Sequence, residues 1–80
     1  MDYKSLRVCE LASEISKDWK SPYFGAVPYL DAMFSLDSIE DKYIADDGRS
    51  VVLYFLANAQ TWRGSVARGV KAELNRRCKT

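Results

Sequence analysis

The apolar residues near the start of the chain fall at Val8, Leu11, Ala12, Ile15 and Trp19, with Arg7, Glu10, Glu14, Lys17 and Asp18 between them. This spacing puts the first set on one face of a helix and the second on the other, so a helix is expected over about residues 5–20. Ser21-Pro22 ends it, because the residue before a proline is pushed out of the helical region. After a Tyr23-Phe24-Gly25 loop, Pro28 suits the first turn of a second helix, where its missing N–H would be unpaired anyway. That helix is expected over about 27–36. Tyr29, Leu30, Met33, Phe34 and Leu36 cover a wide apolar arc on it, leaving Asp31 and Ser35 to water, and so broad an arc implies contacts on two sides.

Periodicity then stops. Asp37, Glu40, Asp41 and Asp46, opposed only by Lys42, make an acidic connector over 37–46 with room for one helical turn around Ile39. It lacks the glycine and ligand spacing of an EF-hand, so calcium is not expected. Asp46 and Asp47 fit the N-cap and first turn of a third helix, where a carboxylate complements unpaired N–H groups.

The run from Val51 to Ala57 is apolar throughout and rich in β-branched and aromatic residues, so by period alone it reads equally as a buried strand. No other stretch alternates with period two to pair with it. A central helix over about 47–59, buried on most sides, is therefore expected. Thr61 suits the N-cap of a fourth helix over about 62–77, with an apolar stripe at Val66, Ala67, Val70, Leu74 and Cys78 and basic residues gathered in its last turns. The fold class that follows is all-α: a single small domain of about four helices, orthogonal or bundle-like.

Composition narrows the function classes. With 80 residues, 48% hydrophobic and 29% charged, the chain has the make-up of a folded domain, but one of this size buries only roughly 60–65% of its unfolded surface and has little to spare for a deep cleft. No apolar run approaches the roughly 20 residues that span a bilayer, and the acid-bearing start is not that of a secretory signal, so a cytoplasmic protein with no membrane partner is expected. Cys9 and Cys78 lack metal or redox spacing and read as free thiols, although a bridge between the two ends stays open if their helices lie side by side.

The chain has no histidine, which removes the commonest general base and every histidine-containing metal site. No phosphate-binding glycine motif is present, and adjacent acids such as Glu40-Asp41 read as solvated or capping groups. No catalytic residue, cofactor, metal or small-molecule substrate is expected, and the protein reads as a non-enzyme.

Charge is near balance overall, at +1, yet residues 31–47 carry six acids and one base while residues 61–80 carry six bases and one acid. Either the two regions complement each other within the molecule or one of them docks a partner. Projecting the fourth helix at about 100° per residue sets Ser65, Gly69 and Ala72 opposite the apolar stripe, flanked by Arg68, Arg76 and Lys79. A mid-helix glycine costs about 1 kcal/mol relative to alanine, so Gly69 implies close approach by another segment, from within or from outside. Trp62-Arg63 opens this helix as a pair of the kind enriched in interface hot spots, with a lid over the core as the competing role for the indole. Trp62, Arg63, Arg68, Gly69, Arg76 and Lys79 are the candidate partner-binding residues.

Residues 23–33 (Tyr23-Phe24-Gly25-Ala26-Val27-Pro28-Tyr29-Leu30-Asp31-Ala32-Met33) and 54–64 (Tyr54-Phe55-Leu56-Ala57-Asn58-Ala59-Gln60-Thr61-Trp62-Arg63-Gly64), with Ala67-Arg68 and Lys71-Ala72-Glu73-Leu74 beyond, resemble a group of short helical proteins encoded on bacterial phages, prophages and conjugative elements. The resemblance runs through most of the chain from Asp18 onward. It implies a mobile-element accessory protein and, since no activity is assigned to the group, carries no functional residue with it. The expected function is a protein-interaction module that binds a host or defence protein or self-associates. The alternatives are nucleic-acid binding through Arg63, Arg68, Arg76, Arg77 and Lys79, and a structural or regulatory subunit of a larger assembly.

Overall fold

The computed structural model describes residues 2–79. Four α-helices form: α1 (Val8–Asp18), α2 (Val27–Met33), α3 (Gly48–Ala57) and α4 (Ser65–Cys78). A 3-10 turn at Tyr3–Ser5 precedes them, and an antiparallel hairpin of β1 (Lys42–Tyr43) and β2 (Asp46–Asp47) lies between α2 and α3. The protein is mostly helical but not purely all-α. Among the described residues no helix is long and apolar enough to cross a membrane.

Four of the helix ends have an identifiable cause. At the start of α1, Glu10 accepts the Arg7 backbone N–H at 2.8 Å, while the N–H groups of Val8 and Cys9 donate to the carbonyls of Asp37 and Leu36. The free donors of the first turn are thus met by the segment leaving α2. That segment tightens after Met33 through donations from Phe34, Ser35 and Leu36 to the carbonyls three residues back, so α2 is shorter than the expected 27–36. The pair is shifted by one residue from the expected placement: Asp47, not Asp46, is the N-cap of α3 and accepts from the Ser50 N–H at 2.7 Å, no acid stands in the first turn, and Asp46 pairs with Tyr43 in the hairpin. Thr61 does not cap α4. Gly64 does, at φ +114°, a backbone region that side chains rarely enter, and α4 begins three residues later than expected.

The connector is the main departure from the expected architecture. Its hairpin pairs Lys42 with Asp47 and Tyr43 with Asp46 around an Ile44-Ala45 turn, in which Ile44 adopts φ +57°. A β-branched residue is strained there, and the glycine or asparagine that usually signals such a turn is missing. The hairpin is anchored to α3 by the Gly48 N–H, which donates to the Asp41 carbonyl at 2.6 Å. A Cβ on Gly48 would come within 2.8 Å of the Ser38 carbonyl oxygen, so this junction admits only glycine without movement.

The core joins Val8, Leu11 and Ile15 of α1, Leu30 and Met33 of α2, Val52 and Phe55 of α3, and Val70 and Leu74 of α4. At one end Trp19 stacks on Trp62 with centroids 5.8 Å apart and planes 13° from parallel, and Phe55 meets both rings edge-on. This cluster ties the end of α1 and the entry to α4 onto α3. The expectation that α3 is buried on most sides does not hold. Its buried residues Gly48, Val51, Val52 and Phe55 occupy one face, and Leu53, Tyr54 and Ala57 are exposed on the other.

Candidate interaction surface

The six residues singled out around α4 divide into three kinds. Trp62 is a core residue, 2% exposed. Its indole Nε1 donates to Asp18 Oδ2 at 2.8 Å, and the Lys71 ammonium donates to its backbone carbonyl at 2.6 Å. Lys71 is pushed below the usual lysine range by burial and then by the charge of Arg63. Trp62 is therefore the lid over the core, and its ring is not offered to a partner. Gly69 is also accounted for from within: a Cβ there would lie 2.6 Å from the Tyr3 ring. The close approach that a mid-helix glycine implies is made by the N-terminal turn, held in place by Arg77 Nη2 donating to the Tyr3 carbonyl at 2.9 Å.

Arg76 belongs to an ion-pair cluster. Glu73 is 6% exposed, and its carboxylate accepts from Arg76 Nε and Nη2 at 3.0 and 2.5 Å and from Arg77 Nε at 2.5 Å. Hydrogen bonds from Arg76 hold the Glu73 carboxyl at about 2, against the opposing effect of burial and with further help from Arg77. Arg63, Arg68 and Lys79 are exposed. The acidic connector spends its carboxylates on local structure: Asp41 accepts from the N–H groups of Asp37 and Ser38, Asp47 caps α3, and Asp37 pairs with Arg7 at 3.3 Å. Glu40 of the connector and Arg76 and Arg77 of α4 line one shallow pocket.

A different surface stands out. Phe24 is 79% exposed, and Tyr23 packs on it with ring centroids 4.8 Å apart. Tyr23 lies against the end of α3, where it lines a shallow groove of about 310 Å³ with Ala57, Asn58, Gln60 and Thr61. One turn back along α3, Tyr54 is 54% exposed and meets Tyr29 of α2 at 5.4 Å. The Asn58 amide donates to the Tyr54 carbonyl at 2.9 Å and links the two halves of the strip. Residues 21–30 and 50–62 contain no charged side chain, so the surface they share is aromatic and uncharged. Large exposed aromatics with charge depleted around them are the compositional mark of an interface centre.

Sequence reasoning placed Tyr23 and Phe24 in a loop and Tyr54 in a buried helix, and so missed this strip. The wide apolar arc of the second helix was the available signal. Part of that arc, Phe34, remains 44% exposed.

Among the described residues no group of three or more histidine, cysteine or acidic side chains is placed to hold a metal ion. Cys9 and Cys78 are free thiols, and burial raises the Cys78 thiol above its ordinary range. Comparison with family models, curated proteins and solved structures finds no match to the chain.

Proposed function

We propose that this protein is a non-enzymatic protein-interaction module whose working surface is the aromatic strip along α2 and α3, from Phe24 and Tyr23 to Tyr54 and Tyr29. The observation that carries this reading is the exposure of Phe24 and Tyr54 on a stretch of surface without charge. An isolated exposed apolar residue is unremarkable, but aromatics in mutual contact on one uncharged face supply rigid apolar area at low entropic cost. The stretches that resemble phage- and mobile-element-encoded proteins run through this same surface. They support a role as an accessory protein in a bacterial cytoplasm.

Nucleic-acid binding through α4 has weaker support. Arg76 and Arg77 already engage Glu73, which leaves Arg63, Arg68 and Lys79 to neutralise phosphates on a protein of net charge +1. A photo-crosslinking aromatic residue placed at position 24 or 54 of the full chain, and at position 68 as the contrast, separates the two. Protein adducts from 24 and 54 but not from 68 are expected. Adducts from 68 alone, or nucleic-acid adducts there, would reverse the assignment.

A further inference from the structure

We infer that the occupant of the aromatic strip is a second copy of this chain, docked about a two-fold axis with Phe24 of each copy seated in the groove formed by Tyr23, Ala57, Asn58, Gln60 and Thr61 of the other. This rests on the reading of the strip as an interaction surface and names its partner.

Three observations lead there. The first is electrostatic. A two-fold interface brings the same patch of both copies face to face, so any net charge on it opposes its own image. The acidic connector and the basic end of α4 both fail this condition. Residues 21–30 and 50–62 satisfy it, having no charged side chain at all. The same neutrality gives a strongly acidic or basic partner nothing to recognise.

The second observation is shape. A two-fold contact needs a projection and a recess on one face, so that each copy supplies what the other receives. Phe24, 79% exposed, is the most prominent aromatic of the molecule, and its immediate neighbour Tyr23 forms one wall of the groove. At about 310 Å³ the groove has room for a phenyl ring. The rim residues Asn58, Gln60 and Thr61 carry uncharged donors and acceptors suited to a polar border.

The third is area. A standard interface covers roughly 800 Å² on each partner. That is about a sixth of the 4884 Å² total surface, a share that one face of the molecule holds without reaching the charged connector or the basic end of α4.

The test is sedimentation velocity with light scattering on the purified full chain over a wide micromolar concentration range, for the wild type, Phe24→Ala, Ala57→Glu and Ile44→Ala. Phe24 and Ala57 are exposed, so both substitutions are expected to leave the circular dichroism spectrum and melting temperature near wild type. The wild type is expected to dimerise reversibly. Phe24→Ala and Ala57→Glu are expected to weaken the dimer at least about tenfold, as loss of a central aromatic contact does. Ile44→Ala, on the distant hairpin tip, is expected to have no effect. With a photo-crosslinker at position 24, the purified protein is expected to give a product of twice the mass joined within residues 57–61. A wild type that stays monomeric at every concentration, or a Phe24→Ala variant that dimerises as well as wild type, overturns the inference. If the chain is monomeric yet position 24 crosslinks a different protein in the cell, the second copy is refuted and the interaction surface stands. If position 24 crosslinks nothing in either setting, both fall.

Discussion

Glu73 offers the sharpest test of how α4 is held. Its carboxyl is kept at about 2 by Arg76 and Arg77, against an ordinary value of 4.5. A carboxyl with a depressed value stabilises the fold fully above its unfolded value and loses that stabilisation as pH falls from about 4.5 towards 2. The gap between the two values corresponds to roughly 3 kcal/mol at most. Arg76 is half exposed, with 54% of its side chain in water, so solvent screening reduces the net contribution to about 1–2 kcal/mol. Glu73→Gln keeps the shape of the side chain, removes the charge and replaces one of the two accepting oxygens by an NH2 donor. At neutral pH it is expected to lower the melting temperature by about 5–15 °C, given the 4–8 °C per kcal/mol typical of a domain this size. Urea denaturation followed by circular dichroism between pH 7 and pH 2 should then show the two proteins converging in stability as Glu73 of the wild type takes up its proton. Equal stability at pH 7, or an offset that stays constant down to pH 2, would show that the ion-pair cluster does not supply this stabilisation.

Other substitutions probe the junctions. Trp62→Ala removes the ring stacked on Trp19 and edge-on to Phe55, and is expected to cost about 3–5 kcal/mol and leave the chain largely unfolded at 37 °C by circular dichroism. Gly48→Ala and Gly64→Ala are expected to destabilise for different reasons, which chemical denaturation combined with a second substitution can separate. At 48 the added Cβ meets the Ser38 and Ile39 carbonyls, whereas at 64 there is open space and only the φ of +114° is violated. Because φ +114° with ψ −178° is a region essentially restricted to glycine, alanine and asparagine at 64 should lose the same roughly 1–3 kcal/mol, whereas at 48, where the obstacle is space, asparagine should lose more than alanine. Ile44→Gly is expected to raise stability by about 0.5–1 kcal/mol, because glycine relieves the φ of +57° at a position that is 87% exposed; a melting temperature below wild type would count against that strain.

Much of the architecture was legible in the chain. The α1 face was read from Val8, Leu11, Ala12 and Ile15, all of them now core residues, because a one-sided helix writes its burial into its spacing. Asp47 was recognisable as a cap, since the chemistry of a short carboxylate next to unpaired N–H groups is local. Local signals failed where the partner is distant in sequence. The hairpin of two-residue strands is too short to show alternation, and its turn carries Ile44 in place of a glycine, so only the Gly48 junction with the Asp41 and Ser38 backbone makes it visible. Thr61 looked like a cap because its side chain is right for one, yet the burial of Trp62 against Trp19 pulls the following residues out of helix and moves the start to Ser65.

The same division governs the candidate surface. Sequence alone determined that histidine has no part in any site, since its absence is a property of composition and needs no fold. It also located Gly69 as a point of close approach, because the helix propensity of glycine is intrinsic. Which segment makes that approach was decided by the fold, which brings Tyr3 across 66 residues to cover it. Exposure is likewise a property of the fold: Phe55 and Tyr54 are neighbouring aromatics, and the direction from which α1, α2 and α4 pack makes one part of the core and the other part of an open aromatic strip.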